Sequence, residues 1–139
     1  MCGIVGVFAP ASKVEEKQML RALDSISHRG PDSSGMRQFD TVWLGHVRRA
    51  IIDKEGGSQP MSSADGDVHV VFNGEIYNFL QLREKLESNG AEFTGRSDTE
   101  VLVNQYLGWR DLILEDFQNI RRFLSTLNGI FAFAIWDRS

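Results

Sequence analysis

The sequence has a single cysteine among its 139 residues, and it stands at position 2. One thiol excludes an internal disulfide framework and a cysteine-built zinc site. Basic charge is also short, with 15 Lys and Arg against 19 Asp and Glu and a net charge of −4. The basic residues are scattered, and the doublet Arg48-Arg49 is too small to track a phosphate backbone. Neither nucleic acid nor an anionic membrane is therefore an expected partner. No apolar run is long enough to span a bilayer. No basic stretch precedes an apolar segment and a small-residue cleavage site, so no secretory signal is read, and a cytoplasmic location is the expectation. Internal repeats, low-complexity tracts and linkers are also missing, which leaves one domain over 1–139.

What is present reads as a folded chain. Hydrophobic residues make up 42% and charged residues 24%, an ordinary balance for a domain that buries a core. Ile4 to Phe8 predicts a first strand, and Val14 to Ser27 a helix with Leu20, Leu23 and Ile26 on one face. HRGPD and the SSG after it (His28 to Gly35) carry loop chemistry. Thr41 to Val47 alternates as a strand, and the GGSQP stretch to Pro60 reads as a turn. Asp67 to Phe72 predicts another strand, closed by the turn dipeptide Asn73-Gly74. Asn78, followed by Gln81, reads as a helix N-cap, and Ser97-Asp98-Thr99-Glu100 as a second capping box. Ile113, Phe117, Ile120 and Leu124 keep helical spacing. Gly129 to Asp137 is apolar on both faces, the pattern of a central strand covered on both sides. A chain that stops directly after such a strand is expected to be a truncated domain.

Cys2 poses the chemical question. A free thiol is mostly protonated at neutral pH and needs a base to become a nucleophile. His28, His46 and His69 are candidate bases, but no spacing ties any of them to Cys2, and each reads better as structural. Position 2 offers another base. Removal of Met1 would give Cys2 a free α-amino group, a group that ordinarily titrates at about 7.7–8.0 and can exchange a proton with sulfur. Nucleophile and base would then share one residue. The opposing reading, a small apolar residue packed in the first strand, stays open on the cysteine alone.

MCGIVGVF, SHRGPDSSG, LGHVRRAIID, FNGEIYNF, SDTEVL and LNGIFAFAIWD, in that order, resemble the class II glutamine amidotransferase domain in its asparagine synthetase branch. The resemblance covers essentially the whole chain. It implies an α+β fold, the αββα sandwich of antiparallel sheets of N-terminal nucleophile hydrolases, and a glutaminase activity. Cys2 matches the family's nucleophile, which attacks the side-chain amide of L-glutamine and releases ammonia through a glutamyl thioester. Asn73 and Gly74 match the oxyanion donors, and catalysis falls to Cys2, Asn73 and Gly74. Arg48 matches the arginine that grips the substrate α-carboxylate, and Glu75 and Asp98 match the acids for its α-ammonium. Arg49, Ala50, Ile51 and Ile52 would line the same pocket. Arg49 stands where the family usually has Leu, and Ala50 where it usually has Ser. HRGPD is expected to shape the pocket rim and a mobile lid.

The resemblance further implies that ammonia passes to a C-terminal synthetase domain that activates aspartate with ATP and magnesium. Nothing in this chain performs that step, so no cofactor or metal is expected for the glutaminase domain itself. Strands missing beyond Ser139 could come from a swapped strand or another copy, which makes a homo-oligomer or strand-swapped dimer one expectation. Two other readings stand beside the glutaminase. One is a non-catalytic glutamine-binding or interaction module, since a retained Met1 would turn the Cys2 amine into an amide. The other is a class II amidotransferase with a different ammonia acceptor.

Overall fold

The computed structural model describes residues 2–9, 13–49 and 57–139. Along the chain run β1 (Gly3–Phe8), α1 (Glu16–Ser25), a single 3-10 turn at Ser27–Arg29, β2 (Ser33–Phe39) and β3 (Val42–Arg48). Then follow β4 (Met61–Ser62), β5 (Val68–Ile76), α2 (Phe79–Ser88), α3 (Asp98–Glu115), α4 (Asn119–Ser125) and β6 (Gly129–Asp137). One sheet has the order β1-β3-β2 and the other β4-β5-β6, each paired antiparallel.

Strand alternation builds the layers. On β3, Gly45 turns toward α1, where an added Cβ would lie 2.6 Å from Met19 Cε and 3.0 Å from Leu23 Cδ2. Glycine lets the helix settle close to the sheet. The opposite face of β3 places Val42 and Leu44 against Val71 of β5, with Ile4, Phe39, Ala134 and Trp136 around them. On β5 the alternate residues Val68, Val70 and Phe72 join Val101, Leu102, Tyr106 and Phe123 in the second core. The order is helix, sheet, sheet, helices: an αββα sandwich of α+β class. β3 is buried throughout and β5 from Val68 to Phe72, because each is the middle strand of its sheet and covered on both sides.

The two sheets are also tied at the Val42 end of β3. Phe39 stacks on His69 with centroids 3.8 Å apart. His69 Nδ1 lies 2.8 Å from Ser62 Oγ, to which Arg37 Nη1 donates at 3.1 Å. His69 is thus a packed histidine. Among the described residues no helix is long and apolar enough to cross a membrane.

Several local expectations change. Met19, not Leu20, carries the buried face of α1: Met19 is 1% and Leu20 51% exposed. Ser33 to Gly35 open β2 rather than a loop. The strand expected to stop at Asn73-Gly74 continues to Ile76. Gly74, at φ 151°, is there because β6 crosses so close that a Cβ would sit 2.3 Å from the Ile130 oxygen. Asn78 does not cap α2 with its side chain. Its amide instead donates to the Thr126 carbonyl at 2.9 Å and accepts from Asn128 N at 2.8 Å. The helical stripe through Phe117 breaks at Asp116, between α3 and α4, and leaves Phe117 71% exposed. Among the described residues β6 pairs only with β5, so β5 is the central strand.

Candidate functional site

Cys2 immediately precedes β1, and the pairing of Gly3 with Val47 sets it beside the end of β3. Ile4 pairs with His46, so Cys2, His46 and Arg48 share the face that looks between the sheets. β5 presents Asn73 and Glu75 from the other side by the same alternation. Asp98 arrives as the first residue of α3. These side chains, with Gly74 and Arg49, line one cleft of about 320 Å³. Every catalytic and binding residue expected within the described segments therefore reaches the same cavity. Ala50, Ile51 and Ile52 lie outside the described residues, as does Met1.

The thiol is half-buried. Its Sγ accepts from the Arg49 backbone N–H at 3.4 Å and lies 3.8 Å from the Arg49 carbonyl. Arg29 Nε donates to the Cys2 carbonyl at 3.1 Å. The HRGPD stretch is packed as a brace rather than a lid. A Cβ on Gly30 would fall 2.5 Å from both the Arg48 nitrogen and the Val47 oxygen. Asp32 N donates to the Arg48 carbonyl at 3.0 Å. The loop thus holds Cys2 through Arg29 and the end of β3 through Gly30 and Asp32. We expect Arg29→Gln to lower kcat by about 10- to 100-fold through misplacement of the nucleophile. KM should change little, because Arg29 does not line the cleft. Steady-state kinetics check the split, and a pure KM effect would refute the positioning role.

Arg48 is buried, with 8% exposure, whereas Arg49 is exposed. The two neighbours differ because β3 ends at Arg48 and Arg49 lies beyond its last paired residue. Opposite Arg48 the cleft is acidic. Asp98 Oδ2 accepts from Ile76 N at 3.2 Å. Burial pushes the Asp98 carboxyl above its ordinary value, backbone N–H groups oppose the shift, and the charge of Glu75 adds to it. Two carboxylates in one partly desolvated wall favour a cation between them. Helix capping itself falls to Ser97, whose Oγ accepts from Glu100 N at 3.2 Å. The Glu100 carboxylate turns to Thr94 N at 2.6 Å and Gly95 N at 2.8 Å instead of closing the expected box. Asp98 is left to face the cleft.

Two further residues contribute, one that the sequence reading passed over and one that it took for a structural histidine. Gln59, in the stretch read as a turn, accepts from Phe72 N at 2.6 Å and donates to Thr99 Oγ1 at 3.3 Å. It joins β5 to α3 along the cleft wall. The other is His46, which is 1% exposed and also lines the cleft. Burial lowers its pKa to about 4, a backbone hydrogen bond with Phe72 works against that shift, and the Arg48 charge adds to it. The imidazole is neutral and is no base for the thiol.

Residues 1–139 match the family described as "Glutamine amidotransferase domain". Asparagine synthetase [glutamine-hydrolyzing] 3 of Bacillus subtilis is 43% identical over 141 residues, covering 99% of this chain and 21% of that protein. Asparagine synthetase [glutamine-hydrolyzing] 1 of the same organism is 40% identical over 143 residues, covering 100% of this chain and 21% of that protein. Among solved structures, glutamine phosphoribosylpyrophosphate amidotransferase from B. subtilis superposes with a TM-score of 0.74 at 24% identity, over 98% of this chain and 35% of that one. That likeness concerns the fold. The chain spans 21% of the length of these synthetase relatives.

Proposed function

This chain belongs to the glutamine amidotransferase domain family, and from that premise we propose that it hydrolyses the side-chain amide of L-glutamine. The observation that carries the reading is the single cleft in which Cys2, Arg48, Asn73-Gly74, Glu75 and Asp98 converge from separate elements. In the mature form Met1 is removed, and the Cys2 α-amino group takes the thiol proton. Sulfur attacks the amide carbon, and the carbonyl oxygen becomes an oxyanion. Asn73 Nδ2 and the Gly74 backbone N–H are the donors assigned to it, each worth about 10²–10³ in rate for groups of this kind. The α-ammonium returns the proton to the leaving nitrogen, ammonia departs, and water cleaves the thioester to glutamate. The thiol, the amine and the two donors all belong to the chain, so this cycle is assigned no metal or cofactor.

Recognition uses both ends of the amino acid. Arg48 offers two parallel N–H donors to the α-carboxylate, and Glu75 and Asp98 take the α-ammonium. A pocket built for both charges selects free glutamine over an amide within a peptide. Two relatives carry the name asparagine synthetase [glutamine-hydrolyzing]. That supports placing this domain in a longer, cytoplasmic asparagine-forming enzyme, where a C-terminal synthetase domain uses the ammonia with ATP, magnesium and aspartate. The test is release of glutamate and ammonia from glutamine by protein whose intact mass shows Met1 absent, with Cys2 labelled by a glutamine-like alkylating agent. Such protein releasing no ammonia and resisting the label would refute the reading.

A pH dependence follows from Asp98. The carboxylate must be charged to hold an ammonium, and its pKa in the free pocket is raised. Falling pH therefore protonates it earlier than an ordinary carboxylate, and kcat/KM should drop on an acid limb displaced upward. Bound ammonium favours the charged form, so the limb in kcat should lie lower. Asp98→Asn should weaken glutamine binding and erase the displaced limb. An unchanged profile of kcat/KM against pH in that variant would exclude Asp98 from ammonium binding.

A further inference from the structure

β5 outruns its neighbour. β4 covers only Met61 and Ser62, paired with Val70 and His69, whereas β5 continues to Ile76. Alternation places the N–H groups of Phe72, Gly74 and Ile76 on one edge of β5, while β6 pairs with the other edge. That edge borders the cleft at Phe72 and Gly74. A buried N–H without a neighbouring strand needs an acceptor from elsewhere.

Side chains supply it on either side of Gly74. Continued by two residues, the β4 register would set Gln59 opposite Phe72. The Gln59 carbonyl lies instead against β2, where a Cβ on Gly35 would come within 2.2 Å of it. The side-chain Oε1 takes its place and accepts from Phe72 N at 2.6 Å. At the far end Asp98 Oδ2 accepts from Ile76 N at 3.2 Å. The Gly74 N–H assigned to the oxyanion is the rung between these two. Gln59 Nε2 also donates to Thr99 Oγ1 at 3.3 Å, and Thr99 is 3% exposed and follows Asp98 directly on α3. One side chain therefore fixes both the residue before Asn73 and the residue after Asp98.

We propose that Gln59 is a positioning residue for the oxyanion donors, standing in for the strand that β5 lacks beside Phe72. The inference rests on the glutaminase reading above and deepens it. An oxyanion donor is effective when it is aimed before charge develops, so that no reorganisation accompanies the reaction. Gln59 anchors β5 one residue ahead of Asn73 and ties that anchor to a buried hydroxyl at the start of α3. The peptide between Asn73 and Gly74 is thereby held in line with the site that Asp98 provides for the α-ammonium. The role of Gln59 runs through Phe72 N and Thr99 Oγ1, not through the reacting atoms.

The test separates ground-state from transition-state binding in the full-length protein lacking Met1. Gln59→Met keeps the length of the side chain and removes both hydrogen bonds. It should lower kcat for glutamine by about 10- to 100-fold, part of what losing an oxyanion donor outright costs. KM should stay within a few-fold, because Asp98 keeps its bond to Ile76 N and Arg48 stands on the other sheet. The γ-aldehyde of glutamate reads the oxyanion site directly. The Cys2 sulfur adds to its carbonyl carbon, the C=O π pair goes to oxygen, and the thiol proton passes to the α-amine. Affinity for this aldehyde should fall by the same factor as kcat, whereas affinity for the product glutamate should hold. Thr99→Val removes one anchor of Gln59 and should cause a smaller loss of the same kind. The double variant should be no slower than Gln59→Met, since both changes act through one chain of hydrogen bonds. Thermal unfolding and alkylation of Cys2 establish that each variant is folded. An unchanged kcat in folded Gln59→Met, equal weakening of aldehyde and glutamate, or additive losses in the double variant would overturn the inference and leave the glutaminase reading intact. Should Gln59→Met not fold, Thr99→Val decides alone, and an unchanged kcat there would overturn the inference. A wild-type protein that hydrolyses no glutamine would overturn both.

Discussion

Cys2→Ala is expected to abolish glutamine turnover and leave glutamine binding in place. Removing a nucleophile from a catalytic unit costs on the order of 10⁶ in rate, so ammonia release should fall to background. The pocket should survive, because among the described residues the Sγ hydrogen-bond contacts are with the Arg49 backbone, at 3.4 and 3.8 Å, and truncation to a methyl removes one atom from a half-buried site. Arg48, Glu75 and Asp98 are held by β3, β5 and α3 without help from sulfur. Calorimetric titration with glutamine should give an affinity within a few-fold of wild type, and ammonia release should be undetectable. A companion variant tests the base. A large residue inserted between Met1 and Cys2 blocks methionine removal and turns the Cys2 nitrogen into an amide. Its thiol remains, but the base is gone, and turnover should vanish as well. Full activity from that protein would mean that another group accepts the thiol proton.

Which residues gather at the site was more legible than the local course of the chain, for physical reasons that particular residues show. Cys2, Arg48, Asn73, Gly74, Glu75 and Asp98 lie in short stretches whose resemblance to a family could be read directly, and the cleft gathers all of them. Alternation also disclosed a strand from Thr41 to Val47, although β3, as the middle strand of its sheet, is buried from Val42 to Arg48 rather than at every second residue. The errors arose where one residue type serves two purposes. Asn-Gly is the commonest signal of a tight turn. Here Gly74 is required by the approach of β6 at Ile130 and Phe131, a contact that lies more than fifty residues away in sequence. Asn78 resembles a cap because caps and long-range ties use the same short amide, and only tertiary packing reveals that it serves Thr126 and Asn128. β2 was hidden for a similar reason. Its first residues are Ser, Ser and Gly, and Gly35 is needed because a Cβ would lie 2.2 Å from the Gln59 oxygen. That close contact also delivers Gln59 to the cleft wall.

Arg48→Ala should act on binding before chemistry. Arg48 is 8% exposed, so its loss leaves the glutamine α-carboxylate in a cleft with little water to replace it. Truncating one partner of such a buried charge pair costs about 2–5 kcal/mol, or about 30-fold to several-thousand-fold in KM. The effect on kcat should be smaller, because the thiol is held by the Arg49 backbone, and the Cys2 carbonyl by Arg29, rather than by the Arg48 side chain. Arg48→Lys should recover only part of the affinity, since an ammonium cannot form the parallel pair of hydrogen bonds. Arg49→Ala supplies the contrast. Its side chain is exposed and its backbone N–H to Cys2 survives the substitution, so KM should stay within a few-fold of wild type. A substrate analogue lacking the α-carboxylate sharpens the comparison: wild type should discriminate strongly against it, and Arg48→Ala hardly at all. His46 gives a separate reading of the same arginine. The Arg48 charge is one of the factors that lower the imidazole pKa to about 4. Removing it should raise that value, and histidine titration by NMR would show the rise. Should Arg48→Ala bind glutamine as tightly as wild type, the carboxylate grip would have to be reassigned, and with it the orientation that brings the amide to Cys2.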